Sequence, residues 1–122
     1  MFEVILESSF SSAHRLREYD GNCERMHGHN WRIEVAVARP DLDEMGMVID
    51  FRDLKRHLKE IFADFDHYIL NDRPPFTEIN PTTENIAKYV FDELARRLPA
   101  PAHVRHVTAW ETDGCGARYE RD

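Results

Sequence analysis

The chain has 122 residues, the size of one ordinary domain, so we expect a single domain over residues 1–122. Its 16 Lys and Arg stand against 23 Asp and Glu, and the formal net charge of −7 disfavours nucleic acid as a partner. The first residues contain neither a basic segment nor a long apolar stretch, which predicts no signal peptide and no membrane span. Two cysteines are too few for a disulfide framework, and we expect a cytoplasmic protein.

Strands are predicted at both ends of the chain, with two helices between them. Residues 2–11 mix β-branched, aromatic and polar side chains without Gly or Pro, and apolar and polar residues alternate over 31–39, so each segment is predicted to be a strand. Apolar residues recur at helical spacing over 51–65 and from Thr82 or Thr83 to Leu98, where prolines end the pattern.

The last part of the chain is predicted to be a hairpin, with a strand over 104–111, a turn or bulge at 114–116 and a short strand through Tyr119. The resulting order, ββααββ, favours an α+β fold in which a four-stranded antiparallel sheet carries two helices on one face. Such a sheet has two free edges, which neighbouring copies can protect by pairing into a larger barrel. We therefore expect an oligomer.

The most informative segment is Cys23-Glu24-Arg25-Met26-His27-Gly28-His29-Asn30-Trp31. Strand side chains repeat every two residues, so His27 and His29 should project from one face. His14 lies near the end of the preceding strand, and antiparallel pairing would bring it beside them. A His-x-His pair alone is more often two surface residues, but three imidazoles without a cysteine ligand are typical of a catalytic zinc site with an open fourth position.

The two cysteines are interpreted differently. A single cysteine such as Cys23 is most often a small buried apolar residue, whereas beside a metal site its thiol is a candidate nucleophile or acid-base group. Cys115 lies between two glycines and is interpreted as part of a turn or of the packing.

Five ordered motifs, spread over nearly the whole chain, resemble the 6-pyruvoyl-tetrahydropterin synthase superfamily. They are Phe10-Ser11-Ser12-Ala13-His14-Arg15-Leu16, the Cys-x-x-x-His-Gly-His-Asn-Trp segment from Cys23, Asp66-His67 with Leu70-Asn71, Asn80-Pro81-Thr82-Thr83-Glu84-Asn85, and Trp110-Glu111-Thr112. The short gap between Cys23 and His27 is similar to the branch that makes 6-carboxytetrahydropterin in queuosine biosynthesis.

The resemblance implies a tunnelling fold (T-fold) assembled as a homohexamer, a dimer of trimers with its sites between subunits. It also implies that His14, His27 and His29 are the ligands of Zn²⁺. Glu111 matches the glutamate that binds the pterin ring through its N–C–N edge, a task suited to a carboxylate with two acceptor oxygens.

The same resemblance makes Cys23, Asp66 and His67 the catalytic residues. Protons must be removed and returned on different atoms of the substrate, which requires more than one group that titrates near neutral pH. A thiol near zinc and a histidine held by a carboxylate meet this requirement. That Asp66 orients His67 is a hypothesis, because the side chains of sequence neighbours need not meet.

We therefore expect a zinc-dependent lyase that acts on a small-molecule pterin substrate. It would convert 7,8-dihydroneopterin triphosphate to 6-carboxy-5,6,7,8-tetrahydropterin, acetaldehyde and triphosphate. One alternative is a 6-pyruvoyl-tetrahydropterin synthase or another enzyme that cleaves the pterin side chain. A second alternative is a non-catalytic module that binds a pterin or a metal.

Overall fold

The computed structural model describes residues 1–17 and 25–121. Within these residues the elements are β1 (Phe2–His14), β2 (His27–Arg39), α1 (Phe51–Phe62), β3 (Tyr68–Ile69), a 3-10 turn (Leu70–Asp72), α2 (Thr83–Arg97), β4 (His103–Thr112) and β5 (Cys115–Tyr119). The strands form one sheet in the order β3-β1-β2-β4-β5. The fold is α+β, as predicted.

The prediction of four antiparallel strands is wrong, because the described residues form five strands, in the element order ββαβαββ. The added strand, β3, has two residues and pairs in parallel with β1 at Ser12 and Ala13. A strand this short leaves no periodic pattern in the sequence, and its pairing depends on where α1 ends.

Several element boundaries also differ from the predictions. The β1–β2 ladder continues to the pair His14 and His27, beyond the predicted ends at residues 11 and 31, because cross-strand pairing extends regular structure into polar sequence. Helix α1 ends at Phe62 rather than at residue 65, since the N–H groups of Phe65 and Asp66 turn back to the Phe62 carbonyl.

The hydrophobic core lies between the sheet and both helices, which cover the same face. Alternate residues of β2 are fully buried there, and so are the apolar stripes of the helices. Asp50 caps α1 by accepting from the Arg52 N–H, and Thr82 caps α2 by accepting from the Asn85 N–H. Neither helix of the described chain has the length and apolar character needed to cross a bilayer.

Candidate metal centre and active site

Three imidazole rings meet where the β1–β2 ladder ends. His14 pairs directly with His27, and Ser12 pairs with His29, so the antiparallel register places all three rings on the face that carries Trp31. The ring centroid of His27 lies 4.6 Å from the centroid of His14 and 4.6 Å from that of His29, and the His14 and His29 centroids lie 5.3 Å apart. The rings therefore point towards one another, as the spacing of the three residues predicts.

The carboxylate of Glu111, near the end of β4, lies among these rings. Its Oε1 is 2.7 Å from Nε2 of His29, 3.3 Å from Nε2 of His14 and 3.7 Å from Nε2 of His27. One donor atom from each of the four residues lies within 4.8 Å of all the others. The family resemblance implies that Glu111 binds the pterin, and the structure places it against the predicted metal ligands.

Backbone carbonyls set the tautomers of two of the histidines. Nδ1–H of His14 donates to the Pro81 carbonyl at 2.8 Å, and Nδ1–H of His27 donates to the Arg25 carbonyl at 2.7 Å. When both rings are neutral, each Nε2 therefore presents a lone pair, and the two Nε2 atoms are 3.1 Å apart. Such outer hydrogen bonds are the usual way in which proteins orient metal-binding histidines.

This group of donors fits a divalent cation. Two Nε2 lone pairs face each other across 3.1 Å, and the buried Nε2 of His29 has no aligned hydrogen-bond partner among the described residues. Ligands at zinc bond lengths in a tetrahedron lie about 3.3 Å apart, close to the spacing of these donors. His14, His27 and His29 would hold the ion.

The ionisation of the site favours metal binding. Burial raises the pKa of Glu111, but the positive charge that His29 and His14 carry when protonated and a hydrogen bond from Thr83 outweigh it, so the pKa lies below its ordinary value. Burial lowers the pKa of His29, and the other two histidines add to this effect while Glu111 opposes it. Near neutral pH the site therefore holds a carboxylate and a neutral His29, the forms that bind a metal ion.

The start of α2 and the residues just before it supply contacts that were not predicted from the sequence. Thr83 Oγ1–H donates to Oε2 of Glu111 at 3.2 Å, and Pro81, two residues earlier, holds His14. Both residues belong to the motif Asn80–Asn85. The motif was visible in the sequence, but its partners lie far away in the chain.

His67 is not part of the four-residue group and lines a cleft beside β3, and Asp66 directly precedes it in the chain. Nδ1 of His67 is 3.2 Å from Oδ2 of Asp66, and Oδ1 of Asp66 accepts from the Ser11 N–H at 2.9 Å. The side chains of these sequence neighbours therefore meet, and the catalytic role of the pair stays a hypothesis. The cleft, about 440 Å³ in volume, is also lined by His29.

The backbone of His67 has a φ of 66°, a left-handed conformation that residues other than glycine rarely adopt. Its N–H donates to the Ser11 carbonyl at 2.6 Å, which holds the strained residue against β1. The side chain is 81% exposed. A strained conformation persists only where the surrounding structure maintains it, and such conformations cluster at functional sites.

Two asparagine side chains hold the chain as it leaves β1. Asn71 accepts from the Arg15 N–H and donates to the Arg15 carbonyl, both at 2.9 Å. Asn80 makes the same pair of contacts with Arg17, whose guanidinium also donates to three carbonyls of the segment 71–79. These contacts fix the backbone that follows the predicted ligand His14.

Of the two cysteines, only Cys115 belongs to the described residues. Cys23, the predicted catalytic thiol, lies outside the described residues, and its role stays a prediction. Cys115 is the first residue of β5 and is exposed, with a free thiol.

Comparisons with known proteins agree over almost the entire chain. Residues 3–122 match the family model described as 6-pyruvoyl tetrahydropterin synthase. The chain is 39% identical over 124 residues to 6-carboxy-5,6,7,8-tetrahydropterin synthase of Synechocystis, covering 98% of this chain and 93% of the relative. It is 31% identical over 117 residues to dihydroneopterin monophosphate aldolase of Pyrococcus furiosus, covering 96% of each.

The solved structure of Caenorhabditis elegans 6-pyruvoyl tetrahydropterin synthase is similar to this chain throughout. The TM-score is 0.87 at 30% sequence identity, and the match covers 100% of this chain and 98% of that chain. The fold therefore agrees with the family that the five motifs predict. The chain belongs to the 6-pyruvoyl tetrahydropterin synthase family.

Proposed function

We propose that this protein is a zinc-dependent 6-carboxy-5,6,7,8-tetrahydropterin synthase of queuosine biosynthesis. Its substrate would be 7,8-dihydroneopterin triphosphate, and its products 6-carboxy-5,6,7,8-tetrahydropterin, acetaldehyde and triphosphate. The main support for this proposal is that the rings of His14, His27 and His29 converge in a chain of this family, with the Nε2 atoms of His14 and His27 3.1 Å apart. The three-residue gap between Cys23 and His27 and the similarity to the Synechocystis relative support this member of the family.

The chain's own residues divide the chemistry between them. A zinc ion held by the three histidines would act as a Lewis acid towards oxygen atoms of the substrate side chain. Asp66 holds Nδ1 of His67 at 3.2 Å, which leaves Nε2 as the ring atom that exchanges protons with the substrate. Cys23 is the second acid-base group in this proposal, and Glu111 binds the pterin ring.

We also propose a cytoplasmic homohexamer of two stacked trimers built from one domain per chain. In the described part of the sheet, β1 pairs on its outer side only at Ser12 and Ala13, and β5 pairs only with β4. Free edges of this kind favour pairing between copies. Phe2 and Ile5, on the open part of β1, are 50% and 58% exposed. A monomeric, fully active protein in analytical ultracentrifugation would contradict this proposal.

The decisive experiment is a product assay with 7,8-dihydroneopterin triphosphate on protein whose metal content is measured in the same sample. Acetaldehyde and a carboxylated pterin are expected. His29→Ala should lose the metal together with turnover. Cys23→Ala should keep the metal and lose turnover, whereas Cys115→Ala, the matched control for an exposed thiol, should keep both. Unchanged turnover in Cys23→Ala would remove this thiol from the mechanism.

Related side-chain chemistry is the second candidate. The Caenorhabditis elegans structure carries the name of a 6-pyruvoyl tetrahydropterin synthase, and the Pyrococcus furiosus relative carries that of an aldolase. A product that retains the three-carbon side chain would favour the first, and a 6-hydroxymethyl pterin would favour the second. Metal and pterin binding without any product would leave a non-catalytic module.

A further inference from the structure

The connection between β3 and α2, residues 70–82, depends on one arginine for its shape. Its only regular structure is the 3-10 turn at its start, so most of its backbone carbonyls need donors from elsewhere. Arg17 supplies three such donors. Its guanidinium bonds the carbonyl of Ile79 at 3.1 Å, that of Asn71 at 3.3 Å and that of Phe76. One side chain therefore fastens this connection at several points along its length.

The backbone of the same arginine is bound by Asn80. Oδ1 of Asn80 accepts from the Arg17 N–H at 2.9 Å, and Nδ2 of Asn80 donates to the Arg17 carbonyl at 3.4 Å. The carbonyl of Asn80 accepts in turn from Nδ2 of Asn85 at 2.9 Å, which ties Asn80 to the first turn of α2. Arg17 thus contacts the connection with both its backbone and its side chain.

Near its end the connection orients the predicted metal ligand His14. Pro81 is buried, and its carbonyl accepts from Nδ1–H of His14 at 2.8 Å. Because a proline has no N–H of its own to bond, the position of this carbonyl depends on neighbours such as Asn80. His14 precedes Arg17 by three residues and is 2% exposed. Covalent and hydrogen bonds therefore form a closed loop from the His14 ring to Arg17 and back through the connection.

Fastening a loop is by itself a structural role, but the Pro81 carbonyl gives this loop a role at the site. A metal-binding histidine is oriented by the hydrogen bond of its second ring nitrogen. In His14 that bond goes to Pro81, and it directs Nε2 to a point 3.1 Å from Nε2 of His27. A shift of the Pro81 carbonyl would turn the His14 ring and move its Nε2 away from the other imidazoles.

We propose that Arg17 is a positioning residue of the metal site. It acts on His14 through the connection and touches neither the ion nor the substrate. The inference rests on the proposed function, in which His14 binds the ion. Loss of the guanidinium should release the connection, allow the Pro81 carbonyl to move and leave the His14 ring poorly oriented for the metal.

The first test measures zinc affinity by competition with a chromophoric chelator. Arg17→Ala should weaken binding about 10-fold, the lower end of the range for losing an outer contact of a metal ligand. Arg17→Lys should weaken it less, because one ammonium keeps the charge but cannot replace a planar fork that bonds three carbonyls. Thermal melts of chelator-treated samples verify that each variant is folded.

Arg97→Ala is the matched control for the loss of an arginine. The Arg97 guanidinium bonds Glu60 at 2.8 Å and joins the end of α2 to α1, far along the helix from the connection. Its removal breaks a contact of the same kind elsewhere in the fold and should leave zinc affinity unchanged.

A second variant reaches the same carbonyl from the other side. Asn80→Ala removes both contacts with the Arg17 backbone and should also weaken zinc binding about 10-fold. The variant with both changes should lose clearly less affinity than the product of the two separate losses, because both act through the position of Pro81. Fully independent effects would contradict the inference.

Nitrogen-15 NMR of metal-free protein labelled at histidine observes the rings directly. In the wild type, exchange of the His14 Nδ1 proton with water should be slow, since the proton is bonded to a buried carbonyl. In Arg17→Ala it should exchange about 10-fold faster, because the contact opens more easily. The Nδ1 proton of His27, which is bonded to the Arg25 carbonyl, is the internal control and should not change.

The outcomes separate this inference from the proposed function. Wild-type zinc affinity and an unchanged His14 signal in Arg17→Ala would overturn the inference while the histidine site remained. An equal loss of affinity in Arg17→Ala and Arg97→Ala would also overturn it, because the effect would then follow from stability alone. Failure of the wild-type protein to bind any metal, with the His14 signal still altered in Arg17→Ala, would overturn the proposed function and leave the positioning of the ring.

Discussion

Replacing Gly116 with alanine should destabilise the protein because Trp110 occupies the space that a side chain would need. A Cβ at this position would lie 2.6 to 3.0 Å from three atoms of the Trp110 ring. Non-bonded carbon atoms prefer about 3.5 to 4.0 Å, so the ring would have to retreat by about 1 Å. Arg32 opposes that movement, since its guanidinium lies 4.9 Å from the ring centroid and pairs with Glu7 at 2.9 Å.

Overpacking of this kind costs about 1 to 3 kcal/mol, and each kcal/mol lowers Tm by roughly 4 °C in a domain of this size. Urea and thermal unfolding of chelator-treated protein measure the cost without a contribution from bound metal. Gly114→Ala is the matched control, because a Cβ there meets no atom within 4 Å, and its effect should stay within about 0.5 kcal/mol.

A double-mutant cycle tests the cause. In a Trp110→Ala background, Gly116→Ala should cost nothing or should stabilise by about 0.5 kcal/mol, because alanine restricts the unfolded chain more than glycine does. The reasoning fails if Gly116→Ala destabilises this background as much as the wild type, or if it destabilises no more than Gly114→Ala.

Asn71→Ala removes both hydrogen bonds to the Arg15 backbone and should lower the free energy of unfolding by about 2 kcal/mol in urea titrations; an unchanged midpoint would show that these contacts contribute nothing. Asp66→Asn should lower kcat by about 100-fold and change the pH profile of kcat/KM, because it removes the carboxylate that holds His67; a preserved profile would count against that role. Burial, reinforced by two nearby arginines, lowers the pKa of His57, so the folded state favours the neutral ring. The stabilising contribution of the neutral ring is present above about pH 6.5 and is lost as the pH falls below that value. His57→Leu should therefore make Tm depend less on pH between about 5 and 7. An equal dependence of Tm on pH in the variant and the wild type would refute this.

Local patterns were sufficient to predict much of the fold. The alternation of apolar and polar residues from Trp31 and the apolar stripes around Leu54 and Val90 indicate which face of each element is buried. These elements were located correctly to within a few residues. The two-residue strand β3 and the early end of α1 were missed. Both depend on contacts of residues 65–69 with β1, and a local pattern carries no information about such contacts.

The amino-acid sequence alone was enough to bring His14, His27 and His29 together, because strand periodicity and one antiparallel pairing are local rules. It could not place Glu111 against them or join Thr83 to Glu111, since β4 and α2 reach this site only after the sheet and helices have packed. Side-chain contacts between distant elements depend on the register and packing of the whole sheet. For that reason the histidine ligand candidates could be identified from their spacing. The position of the Glu111 carboxylate beside them and its hydrogen bond from Thr83 were decided by the tertiary structure.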